Sequence, residues 1–304
     1  MNFIEAMSRN IIEMPQFSCY HDYIKYINAL IPKQAIASDS KNARTHCLYM
    51  TSDQPSSNQK KVKVNSCMKM INYAHRGASA YYPENTLRSF YAGLDMGASG
   101  IETDIERSKD GVLVLHHDDT LERIPNVKGA VSDYTYAELL EMDFGKFMGK
   151  KFTGERIVRL DTFLTHFGRR GLTLALEIKQ AGIEEDCLAC VTELKCRDDV
   201  IFTSFMWESI LQMRRLDPTI RLGYLTKEIT AESLDLLEAY HIQQICPRIS
   251  SVTRESMDLA LKRGFSVRFW GVTNTDLMQR AIELGGDGMT VNFPDKLTLA
   301  LASV

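Results

Sequence analysis

The stretch GIETDIERSKDGVLVLHHD, residues 100–118, decides how the chain is read. Residues 100–106 and 112–117 each have the length and apolar content of a strand. Lys109-Asp110-Gly111 between them leaves room for a hairpin turn and none for a helix. Around this pair, from residue 70 onward, strands and helices alternate. Candidate strands lie at 71–75, 100–106, 112–117, 172–179, 200–205, 220–226, 243–249, 265–272 and 288–292. Candidate helices lie at 85–96, 135–142, 160–169, 184–196, 207–216, 231–240, 253–263 and 274–284. Such alternation predicts right-handed βαβ units and a mostly parallel sheet. With 112–117 set aside as a return strand, the other eight predict an α/β fold of the TIM (β/α)8 barrel class. Residues 118–159, a connection too long to lack structure, are expected to form a small insertion over the barrel mouth. A doubly wound open sheet would want a glycine-rich turn after its first strand, but His75-Arg76-Gly77-Ala78 stands there instead.

The 304 residues allow a large core, and 44% hydrophobic with 25% charged residues is ordinary for a water-soluble domain. A net charge of −3 argues against a broad nucleic-acid surface. Seven scattered cysteines (19, 47, 67, 187, 190, 196 and 246) read as reduced thiols and point to a cytoplasmic location. Cys187 and Cys190 form a CxxC inside a helical pattern, which is ordinary helix packing. No run approaches the roughly 20 apolar residues of a membrane span, and no secretory signal is apparent. Residues 1–67 have little sustained period apart from a helical pattern near 18–31. They are expected to be a partly disordered or dispensable extension of a domain at 68–304.

The barrel strands end in chemically active residues. Glu102 and Asp104 are two apart, hence on one face of a strand, and Glu177 ends another. Three carboxylates without a Cys/His cluster suit a hard divalent cation, Mg²⁺ or Ca²⁺. Two carboxylates at a strand end are also compatible with a solvated pair, but Ile101 and Ile105 beside them argue for burial. His75 and His117 each close an apolar run and precede a charged residue. One such histidine is ordinarily a core residue; two in this setting suit proton transfer near neutral pH. His116 must face away from His117, and Asp118 is placed to orient His117 or its loop.

Arg76 and Lys179 are the candidate phosphate contacts. Lys179 shares a strand face with Glu177. Pro83-Glu84-Asn85-Thr86 reads as a helix start capped at Asn85 or Thr86. Glu84 is a further ligand or a brace for His75 or Arg76. Phe205 and Trp270, at strand ends, are candidate walls for a small alcohol. Core packing is the default for Phe205, and Gly271 is expected to open space beside Trp270.

Taken together, these motifs resemble the glycerophosphodiester phosphodiesterase family. The elements that carry the resemblance are His75-Arg76-Gly77, Pro83 to Thr86, Gly100 to Ile105, Lys109-Asp110-Gly111, and Val114 to Asp118 with Leu121 and Arg123. To these are added Gly154 to Ile157, Glu177-Ile178-Lys179 and Trp270-Gly271-Val272, and the resemblance runs from about residue 70 to 298. It implies a divalent ion on Glu102, Asp104 and Glu177, an acid/base pair in His75 and His117, and phosphate contacts from Arg76 and Lys179. The implied reaction is hydrolysis of a glycerophosphodiester to sn-glycerol 3-phosphate and an alcohol.

Three departures stand out. The chain has Trp270-Gly-Val-Thr273 for Trp-Thr-Val-Asn, Val291-Asn-Phe-Pro294 for Thr-Asp-Tyr-Pro, and Arg123-Ile-Pro125 for Arg-Thr-Thr. None removes a reacting group, and they are expected to bear on the alcohol pocket. The competing readings are a lysophospholipase D-type lipid phosphodiesterase and a non-catalytic phosphate-ester binding protein. The expected partner is a small-molecule diester, with no nucleic acid and no stable membrane anchor. A homo-oligomer is left open.

Overall fold

A computed structural model of the protein describes residues 70–303. The expected N-terminal extension and its helix near 18–31 lie outside the described residues. Among the described residues nine strands run β1 (Ile71–His75), β2 (Gly100–Arg107), β3 (Leu113–Leu115), β4 (Thr173–Ile178), β5 (Val200–Ser204), β6 (Leu222–Thr226), β7 (Gln244–Pro247), β8 (Ser266–Val272) and β9 (Gly288–Val291). All but β3 are parallel and closed into a ring, with β1 bonded to both β9 and β2. The eight-stranded TIM barrel expected from the alternation is therefore present. The ninth strand, β3, pairs antiparallel with β2, Ile105 opposite Leu115 and Arg107 opposite Leu113.

Helices α1 (Leu87–Asp95), α2 (Tyr136–Glu141), α3 (Leu160–Phe167), α4 (Glu184–Glu193), α5 (Trp207–Leu216), α6 (Ala231–Ala239), α7 (Arg254–Lys262), α8 (Thr275–Leu284) and α9 (Pro294–Leu301) follow. Their starts are chemically marked. Thr86, Thr230, Thr253 and Asn274 each accept a backbone N–H of the first turn, which satisfies an otherwise orphaned donor. The cap of α1 is thus Thr86, and Asn85 is released for other work. Helix α9 has no counterpart in the sequence reading. Pro294 opens it, a position where the missing N–H costs nothing. The Asn72 side chain fastens it by donating to Pro294 O at 2.9 Å and Thr298 Oγ1 at 3.0 Å.

The main core lies between barrel and helices. There Phe90, Phe163 and Phe167 meet with ring centroids 4.8–5.7 Å apart. Inside the barrel Tyr73 packs with Ala175 and Ile201. Its ring fits only because Gly100 and Gly288 flank it: a Cβ on either would come within 2.8 Å of the ring. Residues 118–159 carry a second small core, in which Leu121, Ile124, Val131, Leu139, Phe144 and Ile157 pack against Val114 of β3. A three-residue strand thereby holds the insertion to the barrel. Among the described residues no helix is long and apolar enough to cross a membrane.

Candidate active site

Register alone brings the carboxylates together. β2 and β4 are neighbours, with Glu102 opposite Ala175 and Asp104 opposite Glu177. Glu102, Asp104 and Glu177 each offer an oxygen within 4.8 Å of the others, and all three are buried. Among the described residues, Glu102 Oε2 and Asp104 Oδ1 have no hydrogen-bond partner. Burial, then repulsion from Asp104 and Glu177, pushes the Glu102 carboxyl well above its ordinary pKa. Burial and Asp104 push Glu177 up to about 7 against the opposing pull of Lys179. Burial also acts against the charge of Asp104, but Arg76, His117 and Lys179 outweigh it and hold this carboxyl below its usual value. Three converging carboxylates, two of which keep an orphaned oxygen, form a donor set that fits a hard cation.

The cations surround this cluster. Arg76 follows β1 in the left-handed region, φ 56°, with its backbone N–H fixed on Glu102 O at 2.8 Å. Its Nη1 donates to Glu84 Oε1 at 2.8 Å, and its Nε lies 3.2 Å from Asp104 Oδ2. Lys179 Nζ lies 3.2 Å from Glu177 Oε1. Asn85, also left-handed at φ 55°, accepts from Thr103 Oγ1 at 2.8 Å and donates to Asp104 Oδ2 at 3.1 Å.

Each histidine is held through Nδ1. His75 Nδ1 donates to Asn292 Oδ1 at 2.6 Å, and His117 Nδ1 donates to Asp118 Oδ1 at 2.8 Å. An amide or carboxylate oxygen can only accept, so both Nδ1 atoms carry hydrogen and Nε2 is the ring nitrogen left for proton transfer. His75 Nε2 lies 3.7 Å from Glu102 Oε2. Burial and the neighbouring Arg76 charge lower the His75 pKa to about 4. His116 is buried and turns its Nε2 to Thr120 O at 3.2 Å, away from this arrangement. His117 lies beyond β3, on the loop rather than in the expected strand.

Glu84 braces Arg76 and not His75. It also takes both Nη atoms of Arg123 at 2.8 Å. Arg123 in turn donates through Nε to Asp118 Oδ2 at 2.5 Å. A continuous chain therefore runs Asp104–Arg76–Glu84–Arg123–Asp118–His117, joining barrel to insertion. Burial opposes the Glu84 charge, yet the two guanidiniums pull its pKa down to about 2. Asn85, Arg123 and Asn292 were not singled out as site residues. Arg123 and Asn292 lie in motifs read for other reasons, and only the folded chain puts Asn292 against His75 and Arg123 against Asp118, the partner of His117. Glu106 is third in the alternation on β2 after Glu102 and Asp104. It is 8% exposed, and burial together with Asp104 pushes it up to about 8.

Across the mouth, Phe205 and Trp270 meet edge to face at 5.2 Å and 89°. Phe205 is 44% exposed, so the default of core packing does not hold for it. Trp270 Nε1 donates to Thr226 O at 2.9 Å. The space expected beside Gly271 is taken by Arg248, whose Cγ would lie 3.3 Å from an added Cβ.

The family model described as "Glycerophosphoryl diester phosphodiesterase family" matches residues 75–296. A glycerophosphodiester phosphodiesterase of Caldanaerobacter subterraneus subsp. tengcongensis is 33% identical over 238 residues, 76% of this chain and 97% of the relative. The fold matches an Oleispira antarctica phosphodiesterase solved in complex with the product sn-glycerol-3-phosphate. That match has TM-score 0.70 and 27% identity, and covers 76% of this chain and 96% of the other. A glycerophosphodiester phosphodiesterase from Agrobacterium tumefaciens matches with TM-score 0.68 and 25% identity, covering 76% and 99%.

Proposed function

The chain belongs to the glycerophosphoryl diester phosphodiesterase family, and on that premise we propose that its site hydrolyses glycerophosphodiesters to sn-glycerol 3-phosphate and an alcohol by metal-assisted acid/base catalysis. The observation that carries this reading is the convergence of Glu102, Asp104 and Glu177 within 4.8 Å, ringed by Arg76, Lys179 and two histidines. Glu102, Asp104 and Glu177 would hold a divalent ion, Mg²⁺ or Ca²⁺, which when bound supplies positive charge to polarise the phosphoryl group.

Arg76 and Lys179 bind the phosphate oxygens. Both already lie against the acidic cluster, so their charges are positioned before substrate arrives. His75, kept neutral at pH 7 and oriented by Asn292, takes the nucleophile's proton at Nε2. His117, backed by Asp118, protonates the leaving alkoxide from Nε2. The nucleophile is water or the substrate's own glycerol 2-hydroxyl. Phe205 and Trp270, meeting edge to face, offer an aromatic wall for the alcohol. The catalytic unit spans 68–304, with 118–159 contributing Asp118 and Arg123 to the His117 side.

Release of sn-glycerol 3-phosphate from glycerophosphocholine and glycerophosphoethanolamine, with Mg²⁺, with Ca²⁺ and with chelator, tests this. Ion-dependent release supports it, and a transient cyclic phosphate would identify the 2-hydroxyl as nucleophile. Turnover of acyl-bearing lysophospholipids alone would replace it with the lipid reading. Absence of any turnover by folded, ion-supplied protein would leave a binding protein.

A further inference from the structure

Among the cations at the barrel mouth, Arg76, Arg123 and Lys179 are all paired with carboxylates. Arg248 differs. It follows β7, and its backbone N–H is fixed on Thr226 O at 3.1 Å, while its backbone bridges to Trp270 of β8. The rim position is therefore set by the sheet. The stem passes over Gly271, whose φ of 71° and missing side chain leave room for it. The guanidinium centre sits 5.7 Å from the Trp270 ring centroid, within cation–π range. Arg248 is exposed, and among the described residues no carboxylate is within ion-pair distance of it.

The aromatic wall is otherwise apolar toward the mouth, because the Trp270 indole N–H is spent on Thr226 O. Among the described residues, Arg248 is the cation stacked on Trp270. A cationic alcohol against the Phe205–Trp270 wall would meet a fixed like charge. An anionic one would meet a planar, five-donor group already held in place.

Resting on the proposed diester hydrolysis, we propose that Arg248 is a specificity-determining residue that favours glycerophosphodiesters whose alcohol carries an anionic group, a phosphorylated polyol, over neutral and cationic alcohols. The matched probes are glycerophosphoinositol and glycerophosphoinositol 4-phosphate, with glycerophosphocholine as the cationic reference. The readout is the ratio of kcat/KM values, in which any general loss of turnover cancels. Wild type should prefer the phosphorylated diester by about two- to fivefold over the unphosphorylated one at low salt, the size expected of one partly exposed charge pair. Arg248→Gln should bring the ratio to about one, Arg248→Lys should keep part of it, and 0.5 M salt should compress it in wild type, as expected of a screened charge.

An unchanged ratio in Arg248→Gln, or no preference in wild type, overturns the proposal. The same ratio is measured as binding affinity by calorimetry on His117→Ala, so it is read even where turnover is absent. Failure to hydrolyse any of the three diesters would count against the diester reading, while the affinity ratio still decides the role of Arg248.

Discussion

His75 and Asn292, 217 residues apart in the chain, meet through a 2.6 Å hydrogen bond from Nδ1 to the amide oxygen. This contact fixes the imidazole's tautomer and turns Nε2 toward Glu102. It also shows that the departure at Val291-Asn-Phe-Pro294 falls on a histidine's support and not on the alcohol pocket. Asn292→Ala should release the ring and lower kcat on the order of 10²-fold, because misplacing a reacting group by about 1 Å costs that much. Asn292→Asp should keep the orientation and raise the His75 pKa from about 4 by adding an anion. The acid limb of the kcat/KM profile should then move to higher pH; an unmoved limb would remove His75 from the role of base.

His117→Ala should lower turnover by roughly 10²–10⁴-fold while leaving the thermal transition nearly intact, since the side chain is 31% exposed. Near-normal turnover in a folded, ion-supplied variant would refute the assignment.

Cation binding should release protons. Without a cation, Glu177 titrates at about 7 and Glu102 well above its ordinary value. Both must lose their protons to bind a hard ion. Affinity for Mg²⁺ or Ca²⁺ should therefore rise between pH 6 and 8. Calorimetry in buffers of different ionisation enthalpy should show proton release that shrinks in Glu102→Gln. Equal apparent enthalpies in all buffers would contradict the apo-site charges described above.

A stability change away from the site should come from His166. Its Nδ1 meets Tyr91 Oη at 2.9 Å, the residue is 2% exposed, and burial lowers its pKa to about 4. In the unfolded chain it protonates near 6.5. The unfolded state thus binds the proton first, and the stability contributed by neutral His166 is complete above pH 6.5 and lost as pH falls toward 4. Between pH 7 and 4 the wild type should lose on the order of 2 kcal/mol more than His166→Gln, measured from urea midpoints. Parallel losses would show that this histidine is not linked to acid unfolding.

Breaking Arg123 tests the link between insertion and barrel. Arg123→Met leaves Glu84 with Arg76 alone and Asp118 with only His117. Turnover should fall by roughly tenfold or more as Asp118, the partner of His117, loses its brace, with a smaller change in the melting temperature than in kcat. A drop in stability with unchanged kcat would make the chain of ion pairs a purely structural clamp.

What the sequence by itself determined is periodic or local. The strand–helix alternation, the three-residue turn at 109–111 and the i, i+2 carboxylates on β2 all follow from pattern and short-range geometry. So do eight barrel strands, one return strand, and the nomination of Glu102, Asp104, Glu177, His75, His117, Arg76 and Lys179. The tertiary structure decided everything that depends on closure and on which charges meet. Asn292 became the partner of His75 because β9 closes on β1. Arg123 became the partner of Glu84 because the insertion folds back on its own small core. Helix α9 had too little pattern to be assigned and was defined by Asn72, more than 200 residues upstream. Gly271 marked the path of Arg248 rather than an opening beside Trp270. Pairing energies between distant polar groups leave no periodic trace in a chain, since each needs only one residue at one place, and that place exists only after the barrel has closed.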